Sequence, residues 1–430
     1  MSPIRFLAAS VPALVACTSL LASATPVAAQ DLSLAEAERI ALDRDAMTRE
    51  MQSQAQAMRE RAVMEGQLMD PELRFGAVNV PVDSFTLDAE DMTMLEVGVS
   101  QEFQPGRSRQ LSRRQMEQLA SAMEATAEDR GRLVRREVRK LWTQLGYVAA
   151  ARAVLDTQSS WVEQMRQSSR ARYASGEGRQ LDVLQAGLEA AMLREQQLDF
   201  ERDDAMYRSQ LTFWLGADEA ARARPVTPGP RPALEPLAAL EARLAGHPAQ
   251  VDYERRLAAA RTAVETAREK RKPGWMLDVS YGFRQGDMPG GAGGEPEPRP
   301  DMLSAMITVD LPLFRKNRQD RDVAAARLDE RALHERHDDH RREMQAMLAE
   351  AWNTAQRTGE LERFYEEELL QLADQSVQAA LLAWRSNRAM IDDVVMARRA
   401  ATEARMKHLR LAADRALAQH DIDYLAGDER

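Results

Sequence analysis

Three histidines in a charged stretch are candidate metal ligands. His334, His337 and His340 make up half of the six histidines in the chain, and they lie beside Asp338 and Asp339. Residues three apart are neighbours on a helix, so two of these imidazoles could share a metal ion. Steps of three drift around the helix, however, and place the first and third side chains roughly 120° apart. The spacing therefore favours a solvated helix face over a metal site.

Methionine offers a second kind of metal ligand, because thioether sulfur binds soft ions. The chain contains 22 methionines, and Met302 and Met306 fall on the polar side of a predicted strand. Most of the others fit the role of core residues that fill irregular gaps. We take this content, together with the histidines and the acidic charge, as a slight inclination towards heavy-metal transport.

The sequence carries no constellation typical of an enzyme. It lacks a P-loop, a zinc-spaced set of cysteines and histidines, and a nucleophile with a matched base. The abundant carboxylates are explained by charged helices. We therefore predict a protein that is not an enzyme and that needs no cofactor.

The first 29 residues have the pattern of a signal peptide. Arg5 supplies a positive charge, residues 6–21 are mostly apolar, and small residues precede a cleavage site at position 29. Residues 14–17 also resemble a lipoprotein signal, so Cys17 is either lipidated or removed with the signal peptide. Cys17 is the only cysteine, which excludes an intramolecular disulfide. Without Arg5 the formal charge changes from −10 to −11, which argues against a nucleic-acid partner.

Proline divides the remaining chain into two similar halves. Residues 106–224 and 313–430 contain no proline and are rich in Ala, Leu, Glu, Gln and Arg, which predicts long helices. A continuous helix over residues 107–174 would be about 100 Å long. Apolar residues in this stretch follow the alternating steps of three and four that are typical of coiled-coil packing. They are Val134, Val138, Leu141, Leu145, Val148, Leu155 and Val162.

Matching residues recur at a nearly constant offset, which indicates a duplicated unit. Asp45 precedes His247 by 202 positions, and Asp182 precedes Asp393 by 211. Most of the increase arises where the second half carries a longer glycine-rich, acidic loop at 286–301, as expected for an insertion confined to a loop. We predict structural repeats at 30–222 and 237–430, joined by a proline-rich linker at 223–236.

Each half also contains two segments in which apolar and polar residues alternate. We predict strands at about 72–80, 93–104, 275–284 and 302–313, followed in each half by a long helical hairpin, at about 107–216 and 316–426. Such strands fit a lipid-facing barrel wall, and they fit a half-buried soluble sheet equally well. Four strands cannot close a barrel, and an open edge is not tolerated in lipid. If the strands span a membrane, several chains must share one barrel, and three would give about twelve strands.

In these features the sequence resembles the TolC family of outer-membrane efflux proteins over essentially the whole mature chain. No single motif carries the resemblance, which rests on the order and the duplication of several short segments. They are LSLAEA at 32–37, QEFQPGR at 101–107, DLPLFR at 310–315, and the two hairpin tips at 173–184 and 384–395, together with Pro71, Pro273 and His247-Pro248. One departure is Ala46, where the first copy would usually carry proline, and it affects only a local helix start.

The resemblance implies a fold that is mainly α with a small β part, assembled as a homotrimer. Its shared 12-stranded β-barrel would lie in the outer membrane, and an α-helical barrel would continue through the periplasm. The tips would meet a periplasmic adaptor, or membrane fusion protein, and an inner-membrane pump of the resistance-nodulation-division type.

The resemblance also assigns roles to residues at the tips. The adaptor-docking positions are Tyr173, Ser175, Gly176, Gly178, Trp384, Ser386 and Asn387. The periplasmic gate comprises Asp182, Asp392 and Asp393, with Arg388 and Arg179 as partners that could latch the ring. Carboxylates at the positions of Asp182 and Asp393 belong to the family's constriction, and a one-residue slip in the alignment exchanges Asp393 for Asp392. Alternatively, Asp182 only caps the returning helix.

We therefore expect a passive exit duct of a tripartite efflux system, with a slight inclination to heavy-metal ions. A soluble periplasmic coiled-coil scaffold and the outer-membrane channel of a protein secretion system remain alternatives. The exported substrate and the identities of the pump and adaptor stay open.

Overall fold

The computed structural model describes residues 31–226, 233–288, 294–386 and 388–427. The predicted signal peptide with Cys17, part of the predicted linker, part of the glycine-rich loop and Asn387 lie outside these residues.

Long helices and short strands alternate along the chain, so the fold is mainly α with a small β part, as the sequence predicts. The first half contains α1 (Leu34–Arg44), α2 (Ala46–Glu65), β1 (Glu72–Val78), β2 (Met94–Phe103), α3 (Ser108–Ala174), α4 (Gln180–Leu215) and α5 (Ala217–Arg222). The second half contains α6 (Leu237–Leu244), α7 (Pro248–Glu269), β3 (Trp275–Phe283), β4 (Asp287–Met288), β5 (Glu297–Pro298), β6 (Met302–Val309), a 3₁₀ turn (Arg315–Asn317), α8 (Gln319–Phe364), a π-turn (Tyr365–Leu369), α9 (Leu370–Arg385) and α10 (Ile391–Ala426).

The four longer strands form one antiparallel sheet in the order β1-β2-β3-β6. The central pair joins the two halves of the chain, with a register that runs from Leu95 opposite Phe283 to Phe103 opposite Trp275. Strands β1 and β6 are the edges of this sheet within the described residues. Strand β6 ends at Val309, although the alternating sequence pattern continues to position 313. Pro312 lies in that extension and has no N–H to donate to a sheet.

Helix α3 is continuous over 67 residues, which corresponds to about 100 Å. All seven residues of the predicted apolar seam are buried, and Val134, Val138 and Leu155 are completely inaccessible. The seam packs against α1 and α4 at one end and against α4 and α10 nearer the tip. A separate apolar cluster joins α6, α8 and α10 in the second half.

A π-turn interrupts the corresponding long helix of the second half. Residues Tyr365–Leu369 adopt this wider turn between α8 and α9. A π-turn accommodates one inserted residue within an α-helix and is frequent at functional sites. The sequence pattern predicts a long helix here but contains no signal for the irregularity.

No helix within the described ranges combines the length and the apolar character that a membrane span requires.

Helices α2 and α7 begin at equivalent polar caps. Asp45 is paired with Arg130 at 2.8 Å and accepts the Thr48 N–H at 2.8 Å, and these bonds, chiefly the one from Arg130, lower the pKa of Asp45 to about 2. His247 caps α7, since its Nδ1 accepts the Ala249 N–H at 3.2 Å. Ala46, the first residue of α2, stands where the TolC-family pattern usually has proline. The Asp45 cap stabilises the start of α2 without that proline.

The buried His247 makes stability depend on pH. Its side chain is 0% exposed, and accepting at Nδ1 requires the neutral ring, with the proton on Nε2, which is 3.1 Å from the Tyr424 carbonyl oxygen. Burial lowers the pKa of His247, against the opposing charge of Asp129 and in the same direction as Arg132. The contribution of the neutral His247 side chain to the free energy of unfolding is therefore complete above its pKa in the unfolded chain, about 6.5. This contribution is lost as the pH falls towards the lower pKa of His247 in the folded chain.

We expect the unfolding free energy of the purified protein to decrease below about pH 6.5, by at most about 1.4 kcal/mol per pH unit for this one proton. His247→Asn keeps a capping acceptor but does not titrate, so its denaturation curves should show a shallower pH dependence. His334→Gln, at an exposed histidine, is the control and should leave the slope unchanged. Equal slopes for the wild type and His247→Asn would contradict the assignment.

Candidate functional site

One face of the sheet is apolar and uncovered. Its side chains are exposed by between 39% for Val279 and 79% for Phe75. Alternation along each strand and the cross-strand register place them together. The set comprises Leu73, Phe75, Leu95, Val97, Val99, Trp275, Val279, Tyr281, Phe283, Leu303, Ile307 and Val309.

The opposite face of the sheet is mainly polar, and it is more enclosed at its centre, on β2 and β3, than on the edge strands. Asp278 and Ser280 are buried there, at 8% and 6% exposure. Arg74 donates to the Asp278 carboxylate at 2.6 Å and lies 3.6 Å from Glu96. A sheet in a water-soluble protein buries its apolar face and exposes its polar face. This sheet does the reverse, which is the arrangement expected of a wall between lipid and a wet interior.

The passage from β2 to α3 is fixed by a close approach. Gly106 has φ +54°, and a Cβ there would overlap the Glu269 carboxylate. That carboxylate accepts the Arg107 N–H at 2.8 Å and pairs with Lys272 at 2.7 Å. Next to it, the rings of Phe103 and Trp275 stack with centroids 3.9 Å apart. The long helix therefore leaves the sheet at a defined angle.

Arg299 ties together the loops at the other end of the sheet. Its side chain is 8% exposed and pairs with Asp91 at 2.9 Å. Nη1 also donates to the carbonyl oxygens of Asp88, Glu90 and Gln285 at 3.0–3.1 Å. This arginine joins the β1–β2 loop to the loop after β3, and no motif in the sequence identifies it. A buried arginine among backbone carbonyls is recognised only once the loops are placed.

The first tip reverses between α3 and α4. Gly176 has φ +78°, as expected for a residue in the left-handed region. Gly178 is required by close packing: its φ is not positive, but a Cβ would lie 2.9 Å from the Tyr173 nitrogen. Tyr173 is half exposed, and Ser175 is exposed and donates to the Arg172 carbonyl oxygen at 3.0 Å.

Asp182 caps α4 and is paired within its own tip. Its Oδ2 accepts the Arg179 N–H at 3.2 Å, and its Oδ1 accepts from the Arg179 guanidinium at 2.8 Å. The hydrogen bond from Arg179 lowers the pKa of Asp182. The pKa of Arg179 is raised, mainly by Asp182 and to a smaller extent by Asp392. The capping role is therefore present in the structure.

The second tip, between α9 and α10, repeats the cap without the arginine. Asp393 accepts the Met390 N–H at 2.8 Å, and among the described residues no arginine pairs with its carboxylate. Asp392 is half buried and lines a groove together with Asp182. Arg388 is exposed, and its backbone N–H donates to the Ala383 carbonyl oxygen at 2.8 Å.

Trp384 and Ser386 occupy the second tip at the positions expected from the first. Ser386 donates to the Ala383 carbonyl oxygen at 3.0 Å, as Ser175 does to Arg172. Trp384 is partly buried in a cavity of about 370 Å³ between the hairpins, which Trp161 and Arg398 also line. The Arg398 guanidinium lies 4.7 Å from the centre of the Trp161 ring. The tip thus combines exposed polar residues with an aromatic cavity.

Glu189 and Arg399 connect the two hairpins a short distance above the tips. Their side chains form an ion pair in which the Glu189 side chain is 10% exposed. Because one residue lies on α4 and the other on α10, the pair fixes the hairpins relative to each other. Periodicity places both residues on helices but does not show which neighbours they face, so the sequence gives no indication of this contact.

The three clustered histidines reach different partners. His334 lies 3.3 Å from Asp338, His337 is 2.8 Å from the Gln250 amide oxygen, and His340 is 3.6 Å from Glu343. They do not converge on one point. Among the described residues, the ligand atoms that do converge belong to Glu362, Glu366 and His408.

Several solved structures with the same architecture are described as outer-membrane proteins or channels. The outer membrane protein VceC from Vibrio cholerae matches with a TM-score of 0.75 and 16% identity, over 92% of this chain and 96% of that one. A membrane protein from Pseudomonas aeruginosa matches with a TM-score of 0.75 and 19% identity, over 92% and 93%. CusC, described as forming a transmembrane channel, matches with a TM-score of 0.74 and 16% identity, over 93% of each chain. The chain has the fold of these proteins.

At this level of identity the likeness establishes the fold. The resemblance to the TolC family expected from the sequence is thereby confirmed for the fold. No family model matches the sequence, and no curated protein matches it.

Proposed function

We propose that the chain is a subunit of an outer-membrane exit duct that conducts substrate passively from the periplasm to the exterior. The observation that carries this proposal is the sheet with its apolar face outside and its ion-paired polar face inside. The fold shared with VceC and CusC supports the same role. The duct contributes conduction and gating, and no enzymatic step is assigned to it.

The duct is a homotrimer in this proposal. Strands alternate in direction from β1 to β6, so the β6 edge of one chain can pair with the β1 edge of the next in the antiparallel sense. Three chains complete a 12-stranded barrel, which leaves no open edge in lipid. The six helical hairpins continue the wall as an α-helical barrel. The division into repeats at 30–222 and 237–430 belongs to this proposal.

The tips meet a periplasmic adaptor, and through it an inner-membrane pump of the resistance-nodulation-division type. Large apolar side chains at both tips are exposed in the single chain, including Leu181 at 53%, Leu382 at 70% and Met390 at 63%. Exposed apolar patches of this kind mark surfaces that bind another protein. The proposed adaptor-docking residues are Tyr173, Ser175 and the other tip residues that the sequence analysis named.

We propose heavy-metal ions as the transported substrate because methionines lie on the polar face of the sheet. Met94, Met276, Met302 and Met306 share this face, and Met306 lies opposite Asp278. Thioether sulfur and a carboxylate along one path suit the passage of soft cations. The identity of the pump largely decides which substrate the duct receives.

Fractionation of cells that express the protein tests the proposal. We expect the mature protein in the outer membrane, extracted by detergent as a trimer that conducts ions in a planar bilayer. Recovery as a monomer in the soluble periplasm would overturn the duct and favour the coiled-coil scaffold.

A further inference from the structure

A carboxylate–imidazole group lies beside the π-turn of the second hairpin. Ligand atoms of Glu362, Glu366 and His408 all lie within 4.8 Å of one another. His408 Nε2 is 3.1 Å from Glu366 Oε1, across the contact between the π-turn and α10. Two carboxylate oxygens and one imidazole nitrogen are a donor set that suits Zn²⁺ and similar transition-metal ions.

The π-turn is the backbone irregularity that carries Glu366. The offset between matching residues of the two halves increases by two, from 209 at Arg109 to 211 at the tips, and a π-turn takes up one of these inserted residues without ending the helix. The irregularity therefore lies in the half of the chain that has the ligand set. Helix α3 runs through the same region of the first half without one.

The first half provides an internal comparison. At offsets of 210 or 211, Arg152, Asp156 and Gln197 correspond to Glu362, Glu366 and His408. The Gln197 amide donates to Asp156 at 3.3 Å, so the contact between the two helices is retained there. An arginine and an amide occupy the positions of two of the three metal-binding groups. The second half thus differs from the first by a carboxylate, Glu362, and an imidazole, His408. With Glu366, these two groups can bind a metal ion, whereas the contact between Asp156 and Gln197 is only a hydrogen bond.

The surroundings of Glu362 suit a ligand held in one orientation. Arg415 donates to Glu362 Oε2 at 2.8 Å, and the carboxylate side chain is 14% exposed. A hydrogen bond to one carboxylate oxygen fixes the direction of the other, as partners of metal ligands commonly do. His408 is 20% exposed and Glu366 is 54% exposed, which leaves a side open for water ligands and for entry of the ion.

We propose that Glu362, Glu366 and His408 form a binding site for a divalent transition-metal ion of the Zn²⁺ class. The ion joins the π-turn to α10 and holds the two helices of the second hairpin at a fixed separation above the tip. The site is distinct from the three clustered histidines and does not depend on the duct function.

Calorimetric titration of the chelator-treated, full-length protein with Zn²⁺ tests this site. We expect one zinc ion per chain, and His408→Gln and Glu362→Gln should each weaken binding by at least about tenfold, since even loss of a supporting hydrogen bond costs that much. Asp156→Asn, at the matching place in the first half, and His334→Gln should leave the affinity unchanged. Titration with Co²⁺ adds an absorption readout that reports imidazole coordination.

A second variant converts the first half. Arg152→Glu combined with Gln197→His supplies the missing groups around Asp156 and should raise the capacity towards two zinc ions per chain if the α-helical backbone suffices. If this variant still binds one zinc ion per chain, the π-turn itself is necessary for binding. In either case the variant should retain the zinc site at His408. Absence of zinc binding by the wild type, unchanged binding by His408→Gln, or loss of binding in His334→Gln would overturn the proposal.

Discussion

Replacement of Ile307 by arginine should abolish assembly of the protein in the outer membrane. Ile307 lies on the apolar face of β6, opposite Leu277, and is 65% exposed in the single chain. An arginine on a lipid-facing strand costs about 2 kcal/mol or more near the middle of the bilayer, and three chains would together lose about 6 kcal/mol. We expect the yield of trimer extracted from the outer membrane to fall by at least tenfold, measured by sedimentation in detergent.

The neighbouring residue provides a matched control. Met306 is 63% exposed, almost the same as Ile307, but its side chain belongs to the polar face, opposite Asp278. Because accessibility in the single chain is equal, any difference between Ile307→Arg and Met306→Arg must come from what each face meets after assembly. Met306→Arg should retain the trimer. Equal yields for the two variants would show that the apolar face does not meet lipid.

Replacement of Asp393 by asparagine should open the periplasmic mouth. Asp393 has no arginine partner among the described residues, so in the proposed trimer its charge is available to an arginine of a neighbouring chain. A hydrogen bond between charged groups contributes about 1.5–3 kcal/mol. Loss of one such bond corresponds to about tenfold or more in the equilibrium between closed and open states. We expect a matching increase in the open fraction in planar bilayers, with weaker selectivity for cations.

Three further variants separate gating from capping. Asparagine keeps the oxygen that accepts the Met390 N–H, whereas Asp393→Ala removes both the charge and the cap. If only Asp393→Ala changes conductance, the carboxylate serves the helix and not the gate. Asp182→Asn should have a smaller effect than Asp393→Asn, since Arg179 already neutralises Asp182 in its own tip. Asp392→Asn tests the neighbouring position, and an effect there alone would move the gate by one residue.

Sequence periodicity predicted the parts of the fold that depend on long repeats. The apolar seam from Val134 to Val162 is buried as expected because a steady spacing of three and four can bury its side chains only on one face of a helix. The alternation in β3 likewise identified both faces of the sheet. Such patterns are averages over many residues and tolerate single exceptions, among them Arg152 in the seam.

The contacts that define the candidate sites could not be predicted from the sequence, and the reason is the same for each of them. The Glu189–Arg399 pair, the Arg299 loop contacts and the Glu362–Glu366–His408 group each join residues that are distant in the chain. Local spacing places every one of these residues on an element but gives no information about the rotation of that element towards its neighbour. Short polar side chains at tips are an exception. Asp182 was correctly considered as a cap from its position after a turn.

The pairing of β2 with β3 has a consequence for how the chain folds. These strands belong to different halves, and the entire first helical hairpin lies between them in the chain. The centre of the sheet can therefore form only once the second half of the chain is available, and contacts between such distant segments form slowly. Until then the β1–β2 hairpin exposes both its apolar face and an unpaired edge, which favours aggregation. If the chain is exported as proposed, we expect it to require protection by a periplasmic chaperone until β3 is available to pair with β2.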